Sequence, residues 1–267
     1  MIGRWVRDNL VLMLGLAVLA YTFVPIAVVV LMSFNAPASR NVYQFDGFTL
    51  DNWLNPCAPE GMCSAVGRSI EIGLLSTLVA TILGTLAAFA LVRHDFVGRS
   101  SSNLLIFLPM ASPEIVMGSS LLALFVASGL GGQLGFWTIF VAHVMFCLSF
   151  VIVTVRSRLA GMDDNLEQAA MDLYATPQQT FWRVTFPLVF PGILGAALLS
   201  FSLSFDDFII TNLNAGTTTT FPMFVWGAAQ RGVPMQVNVV GTVMFVISVL
   251  IVVTGEVNSR RRQRALA

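Results

Sequence analysis

Six apolar windows, at about 10–33, 67–92, 103–127, 136–155, 189–213 and 236–257, set the first constraint on this chain. Each is near the roughly 20 residues that cross about 30 Å of hydrocarbon at 1.5 Å per residue. Lipid offers backbone N–H and C=O groups no partner, so windows of this kind fold as helices that satisfy their own hydrogen bonds. The pattern therefore predicts an all-α membrane protein with six transmembrane helices. Composition agrees, with 56% hydrophobic and 10% charged residues, where soluble domains carry about 25% charged. Arg4 and Arg7 ahead of the first window resemble the start of a signal peptide. That run is too long and lacks a small-residue cleavage site, so it reads as a retained first helix.

Six spans put both termini on one side of the membrane. Of the 14 basic residues, all arginine, eleven fall on that side and only Arg40, Arg68 and Arg231 on the other, which predicts cytoplasmic termini. The absence of lysine excludes a phosphate-cradling G-x-x-x-x-G-K-[ST] loop, so the chain is not a P-loop ATPase. A formal net charge of zero leaves no electrostatic footprint for nucleic acid. Cys57 and Cys63 lie close together in the polar external segment 34–66, where a local disulfide is expected. Cys147, inside an apolar run, reads as a small buried hydrophobe. The chain divides into a first helix with its external loop (1–66), five further helices with a cytoplasmic segment at 156–188 (67–257), and a basic tail (258–267) that anchors at the inner leaflet and its lipid.

The segment 156–188 carries helical periodicity of its own. Asp164 reads as an N-cap with Glu167 three residues on to return the bond, and Leu166, Ala169, Ala170 and Leu173 follow as an apolar stripe. Thr176-Pro177-Gln178-Gln179 supplies a second start, and Pro187 is expected to close that second helix. A helix of about ten residues is marginal in water, so this helix-turn-helix needs something to pack against, either its own bundle and the headgroups or a partner.

Gln168-Ala169-Ala170, then Tyr174, then Val184-Thr185-Phe186-Pro187 resembles the E-A-A-x3-G-x9-I-x-L-P signature of ABC importer permeases. Gln168 stands where that motif has Glu, with Glu167 adjacent, and Tyr174 stands where it has Gly. Flanking blocks, among them the stretches 112–117 and 204–207, are similar to the permeases of spermidine/putrescine importers. The resemblance implies the type I ABC importer permease fold in a bacterial inner membrane. Glu167, Gln168, Ala169, Ala170, Tyr174 and Pro187 would then belong to a coupling element that sits in a groove of an ATPase. It also implies a second permease subunit, two ATPase subunits that carry the ATP and Mg, and a periplasmic binding protein, with no cofactor on this chain.

Carboxylates near mid-bilayer cost a few kcal/mol and should face a cavity or partner. Glu114, after Pro109 and Pro113 in the third window, and Asp206 with Asp207 in the fifth are candidates for a cation path. Acids beside apolar and aromatic surface suit a polyamine, whose ammonium groups are spaced along an alkyl stem. For the Asp pair, structural pairing or capping at an interrupted helix is the alternative. Glu71 reads as an interfacial acid near Arg68, and His143 as a relay or, more simply, a bond to a neighbouring helix. Phe201, Phe205, Phe208 and Trp226 read mainly as packing or interface residues. A related importer for another small solute is the nearest rival function. A proton-coupled transporter using Glu114, His143, Asp206 and Asp207 is more distant. A membrane enzyme is disfavoured, with no H-E-x-x-H or G-x-S-x-G site.

Overall fold

The computed structural model describes residues 2–38, 44–163 and 165–266, without the side chains of 2–8, 256 and 258–266. Its helices are α1 (Ile2–Met32), α2 (Asp51–Leu54), α3 (Met62–Arg93), α4 (Arg99–Ala111), α5 (Glu114–Ala127), α6 (Phe136–Ala160), α7 (Asn165–Asp172), α8 (Pro177–Thr180), α9 (Phe186–Asp206), α10 (Ile209–Asn214), α11 (Phe221–Ala229) and α12 (Met235–Leu266). No strand occurs among the described residues, only an isolated bridge between Asn35 and Phe48.

Five apolar runs are long enough to cross a membrane: Asn9–Met32, Met62–Arg93, Phe136–Ala160, Pro177–Asp206 and Met235–Gly255. The pair α4 and α5, bent by 108° at its break, is apolar enough to add one broken span or a re-entrant loop. The protein is thus an all-α membrane protein with five to six apolar spans among the described residues.

Two boundaries differ from the hydropathy reading. The fifth window, 189–213, is not one helix: α9 ends at Asp206, Asp207 turns extended (φ −65°, ψ 124°), and α10 begins two residues later. Nor does Pro187 end the second cytoplasmic helix. A π-turn over Phe181–Thr185 carries the chain from α8 into α9, with the Phe186 N–H reaching back five residues to the Phe181 carbonyl. Proline has no N–H to offer the α-helical ladder, and the wider turn absorbs that loss without stopping the helix.

The chain falls into two compact units, one made of Met1–Cys63 with Val225–Ala267 and the other of Ser64–Phe224. The last helix thus belongs to the same unit as the first. In the first unit α1 packs on α12, with Phe23 edge-on to Phe245 at 6.4 Å. Gly241 lets the helices approach, since a Cβ there would lie 3.3 Å from Val29. Above them the polar segment folds around Asn35, whose Nδ2 donates to the Gln44 carbonyl (2.7 Å) and whose Oδ1 accepts from the Asp46 N–H (2.9 Å). Phe34 stacks between Phe48 and Trp53 at 5.6 and 5.4 Å. Cys57 and Cys63 are joined by a disulfide. Closing so short a loop removes about 2 kcal/mol of unfolded-state entropy. Replacing both cysteines by serine is expected to lower stability by about that amount. Thermal unfolding with and without reductant checks this, because the reductant should shift the wild type and leave the double variant unmoved.

In the second unit α6 is the central rod, flanked by α4, α9 and α10. Its buried face (Ala142, Phe146, Cys147, Val151, Val155 and Leu159) meets Ala80 and Ala88 of α3 and Val189 and Ala196 of α9. Small residues set these distances. A Cβ on Gly84 would come within 2.6 Å of Val151, and one on Gly192 within 2.8 Å of the Arg158 stem. Such close backbone approach is how helices associate in lipid, where apolar burial alone does not drive them together.

Candidate functional site

Two helix breaks lie in the second unit, and the predicted acids are at them. At the first, Ser112 is pushed extended by Pro113, and α5 starts with Glu114 exposed. At the second, Asp206 closes α9 and is also exposed. The helices that follow the breaks, α5 and α10, pack on each other, and Gly118 permits it: a Cβ there would meet Leu213 at 2.9 Å. Glu114 consequently lies within Coulombic reach of both aspartates.

Asp207 sits differently from its neighbour, with a side chain only 2% exposed. Its Oδ2 accepts from the Thr211 N–H (2.8 Å) and the Thr211 hydroxyl (2.9 Å), and its Oδ1 accepts from the Ile210 N–H (3.4 Å). A carboxylate that binds backbone N–H groups one turn ahead competes with the helix ladder and caps the next helix, and here it accounts for the break. His143 of α6, equally buried, completes the cluster. Its Nδ1 is 2.7 Å from the Ser204 hydroxyl, and its Nε2 is 2.9 Å from the Thr211 hydroxyl and 3.4 Å from Asp207 Oδ2. Ser204 continues to Ser76 of α3 at 3.0 Å. One polar chain thereby ties α3, α6, α9 and α10 together inside the bundle. Ser76, Ser204 and Thr211 escaped the reading of the sequence, although Ser204 and Thr211 stand three before and four after Asp207, one helical turn on each side.

The remaining predicted residues fall elsewhere. Glu71 pairs with Arg68 at 3.2 Å on an exposed surface. Phe201 and Phe205 stack at 5.9 Å, and Phe201 covers Gly73, so both are packing residues.

On α7 the expected N-cap, Asp164, lies outside the described residues. Asp163 Oδ1 accepts the Asn165 N–H at 3.0 Å. Glu167 Oε1 accepts from Arg93 at the end of α3 (2.5 Å) and from the Thr185 hydroxyl in the π-turn (2.6 Å). The Arg93 guanidinium, 74 residues away in sequence, makes the first of these a charge-assisted bond. On α8 the cap forms as read: Thr176 Oγ1 accepts the Gln179 N–H (3.3 Å), and Gln179 Oε1 accepts the Thr176 N–H (3.0 Å).

Glu167 thus faces the bundle, while Gln168, Ala169, Leu166, Leu173, Tyr174 and Pro187 are exposed and Ala170 is half-buried. The apolar stripe points away from the chain's own core. A short helix with an inward anchor and an outward apolar face can transmit a push from a partner to α3 and α9.

The family described as binding-protein-dependent transport system inner membrane component matches residues 80–259. The spermidine/putrescine transport system permease protein PotC of Escherichia coli (strain K12) is 34% identical over 265 residues, covering 99% of this chain and 97% of that one. The putrescine transport system permease protein PotI of the same strain is 37% identical over 240 residues, covering 88% and 84%. Among solved structures, a bacterial ABC transporter involved in import of the acidic polysaccharide alginate aligns over 96% of both chains with a TM-score of 0.62 and 17% identity. At that identity the likeness speaks for the fold alone.

Proposed function

We propose, from the premise that this chain belongs to the binding-protein-dependent transport system inner membrane component family, that it is the permease subunit of an ATP-driven importer of polyamines. The observation that carries the substrate class is the near full-length match, at 34% and 37% identity, to permeases named for spermidine and putrescine. The protein is a multi-pass inner-membrane protein.

In this reading a second permease completes the pathway, two ATPase subunits hold ATP and Mg, and a periplasmic binding protein delivers solute. The termini lie in the cytoplasm, a placement supported by the arginine asymmetry. The Cys57–Cys63 disulfide supports it too, because such bonds form outside the reducing cytoplasm. Closure of the ATPase dimer moves α7, and the bonds of Glu167 to Arg93 and Thr185 pass that motion to the ends of α3 and α9.

The exposed acids Glu114 and Asp206 face the passing ammonium groups, whereas Asp207 and His143 hold the break that presents Asp206. Neutralising Glu114 and Asp206 together (Glu114→Gln with Asp206→Asn) is expected to cut polyamine uptake at least tenfold, since a hydrogen bond to a charged group is worth about 1.5–3 kcal/mol. Assembly should be unchanged. Radiolabelled spermidine and putrescine uptake by cells carrying that variant tests the assignment, and uptake at the wild-type rate would remove the two acids from the path.

A further inference from the structure

Among the described residues, Tyr174 is the one non-glycine with a positive φ, +63°. It stands just past the end of α7, where its N–H bonds the Met171 carbonyl (2.9 Å) and the Ala175 N–H bonds the Ala170 carbonyl (3.1 Å). These are the two bonds of a Schellman ending, whose left-handed position glycine fills without steric cost and tyrosine does not. Those bonds hold the backbone, but the ring adds nothing to them inside the chain, because Tyr174 is 96% exposed. A bulky residue at a left-handed position, with no internal contact to favour it over glycine, points to a role for its ring outside the chain.

The surroundings say what kind of surface meets it. Leu173 beside it is 82% exposed, and Leu166 about two turns back is also exposed, so the ring belongs to an outward apolar patch. The rim is acidic: Asp163 and Asp172 are exposed, and no arginine occurs between Arg158 and Arg183. A helix that lies on an anionic leaflet carries basic residues on its polar face, the reverse of this arrangement. The complementary surface is a protein slot with apolar walls and a basic edge.

We infer that Tyr174 is a keying residue: its ring fills such a slot on the ATPase subunit and restricts this permease to an ATPase whose slot is deep enough to take it. This rests on the importer reading above, and the controls separate the two. The test uses the purified permease pair and its ATPase, with binding measured by titration and stability by thermal midpoint. Tyr174→Gly should keep or raise the midpoint of the pair while weakening ATPase binding about 30-fold, as loss of a buried aromatic anchor does. Tyr174→Phe, which keeps the ring, should bind within about threefold of wild type.

Leu173→Asp, at an exposed position on the same patch, is the control for docking itself. Tyr174→Gly binding within about twofold of wild type, with Leu173→Asp binding lost, would overturn the keying role and leave docking intact. Binding unmoved by Leu173→Asp would remove the docking reading and the inference with it. A lowered midpoint in Tyr174→Gly would also overturn it, since the strain would then be compensated within the permease pair. So would a loss of affinity for anionic-lipid vesicles in place of the ATPase.

Discussion

Replacing Asp207 by alanine is expected to destabilise the permease by about 3–5 kcal/mol, the range seen when one member of a buried charged cluster is removed. The carboxylate serves the Ile210 and Thr211 N–H groups, the Thr211 hydroxyl and, across the bundle, His143. Alanine would strand the two N–H groups away from water, while the Thr211 hydroxyl and His143 keep each other, and each unsatisfied group costs about 1–3 kcal/mol. Asp207→Asn is the informative companion. It keeps one carbonyl oxygen for the Thr211 N–H but loses the charge, so its cost should fall to about half of the alanine value or less. Thermal unfolding of the detergent-solubilised protein measures both. Equal midpoints for Asp207→Ala and wild type would show that the break at 206–208 is held by something other than this cap. The same variants separate holding from conducting: if Asp207 only presents Asp206, the folded fraction of Asp207→Asn should take up polyamine with affinity near wild type.

Leu173→Asp carries the second large effect, and it lies at the opposite end of the account. Leu173 is 82% exposed, so the substitution removes no internal contact, and stability should change by no more than about 0.5 kcal/mol. A charge placed on a desolvated apolar contact is a different matter. Truncating a central interface residue costs about 2 kcal/mol or more, and an unpaired buried carboxylate costs several. ATPase association should therefore fall by at least about 100-fold and transport with it. Copurification of the ATPase with the tagged permease, beside uptake in the same cells, reads both. Normal copurification and uptake would remove the apolar stripe of α7 from the coupling interface.

Hydropathy made the spans legible because lipid demands one thing of every residue in a window, and six windows answered it. The helix breaks were not legible by the same route. Phe208, Ile209 and Ile210 continue the apolar pattern past Asp207, so the window runs on although the helix does not. What ends the helix is the Asp207 carboxylate taking backbone N–H groups ahead of it, a competition that hydropathy does not weigh. The sequence leaves Asp206 and Asp207 either a cation path or a cap at an interrupted helix, and one backbone turn puts the first on the surface and the second in the core.

The cytoplasmic segment divides in the same way. Thr176, Pro177 and Gln179 form the local cap that their spacing implies. Glu167 bonds Arg93 as well, a charge-assisted contact that local spacing does not reveal because only the tertiary fold brings the guanidinium near. Tyr174 could be seen as the wrong residue for the motif. That it nevertheless holds glycine's conformation, with its ring turned outward, required coordinates.

The central claim is that this chain conducts solute only as part of a nucleotide-driven machine. The direct measurement is uptake of labelled spermidine and putrescine into proteoliposomes holding either this chain alone or the permease pair with its ATPase and binding protein, with ATP or with an imposed proton gradient. The account predicts uptake only in the complete assembly with ATP and none from the gradient. Accumulation by the chain alone, driven by protons without nucleotide, would contradict it.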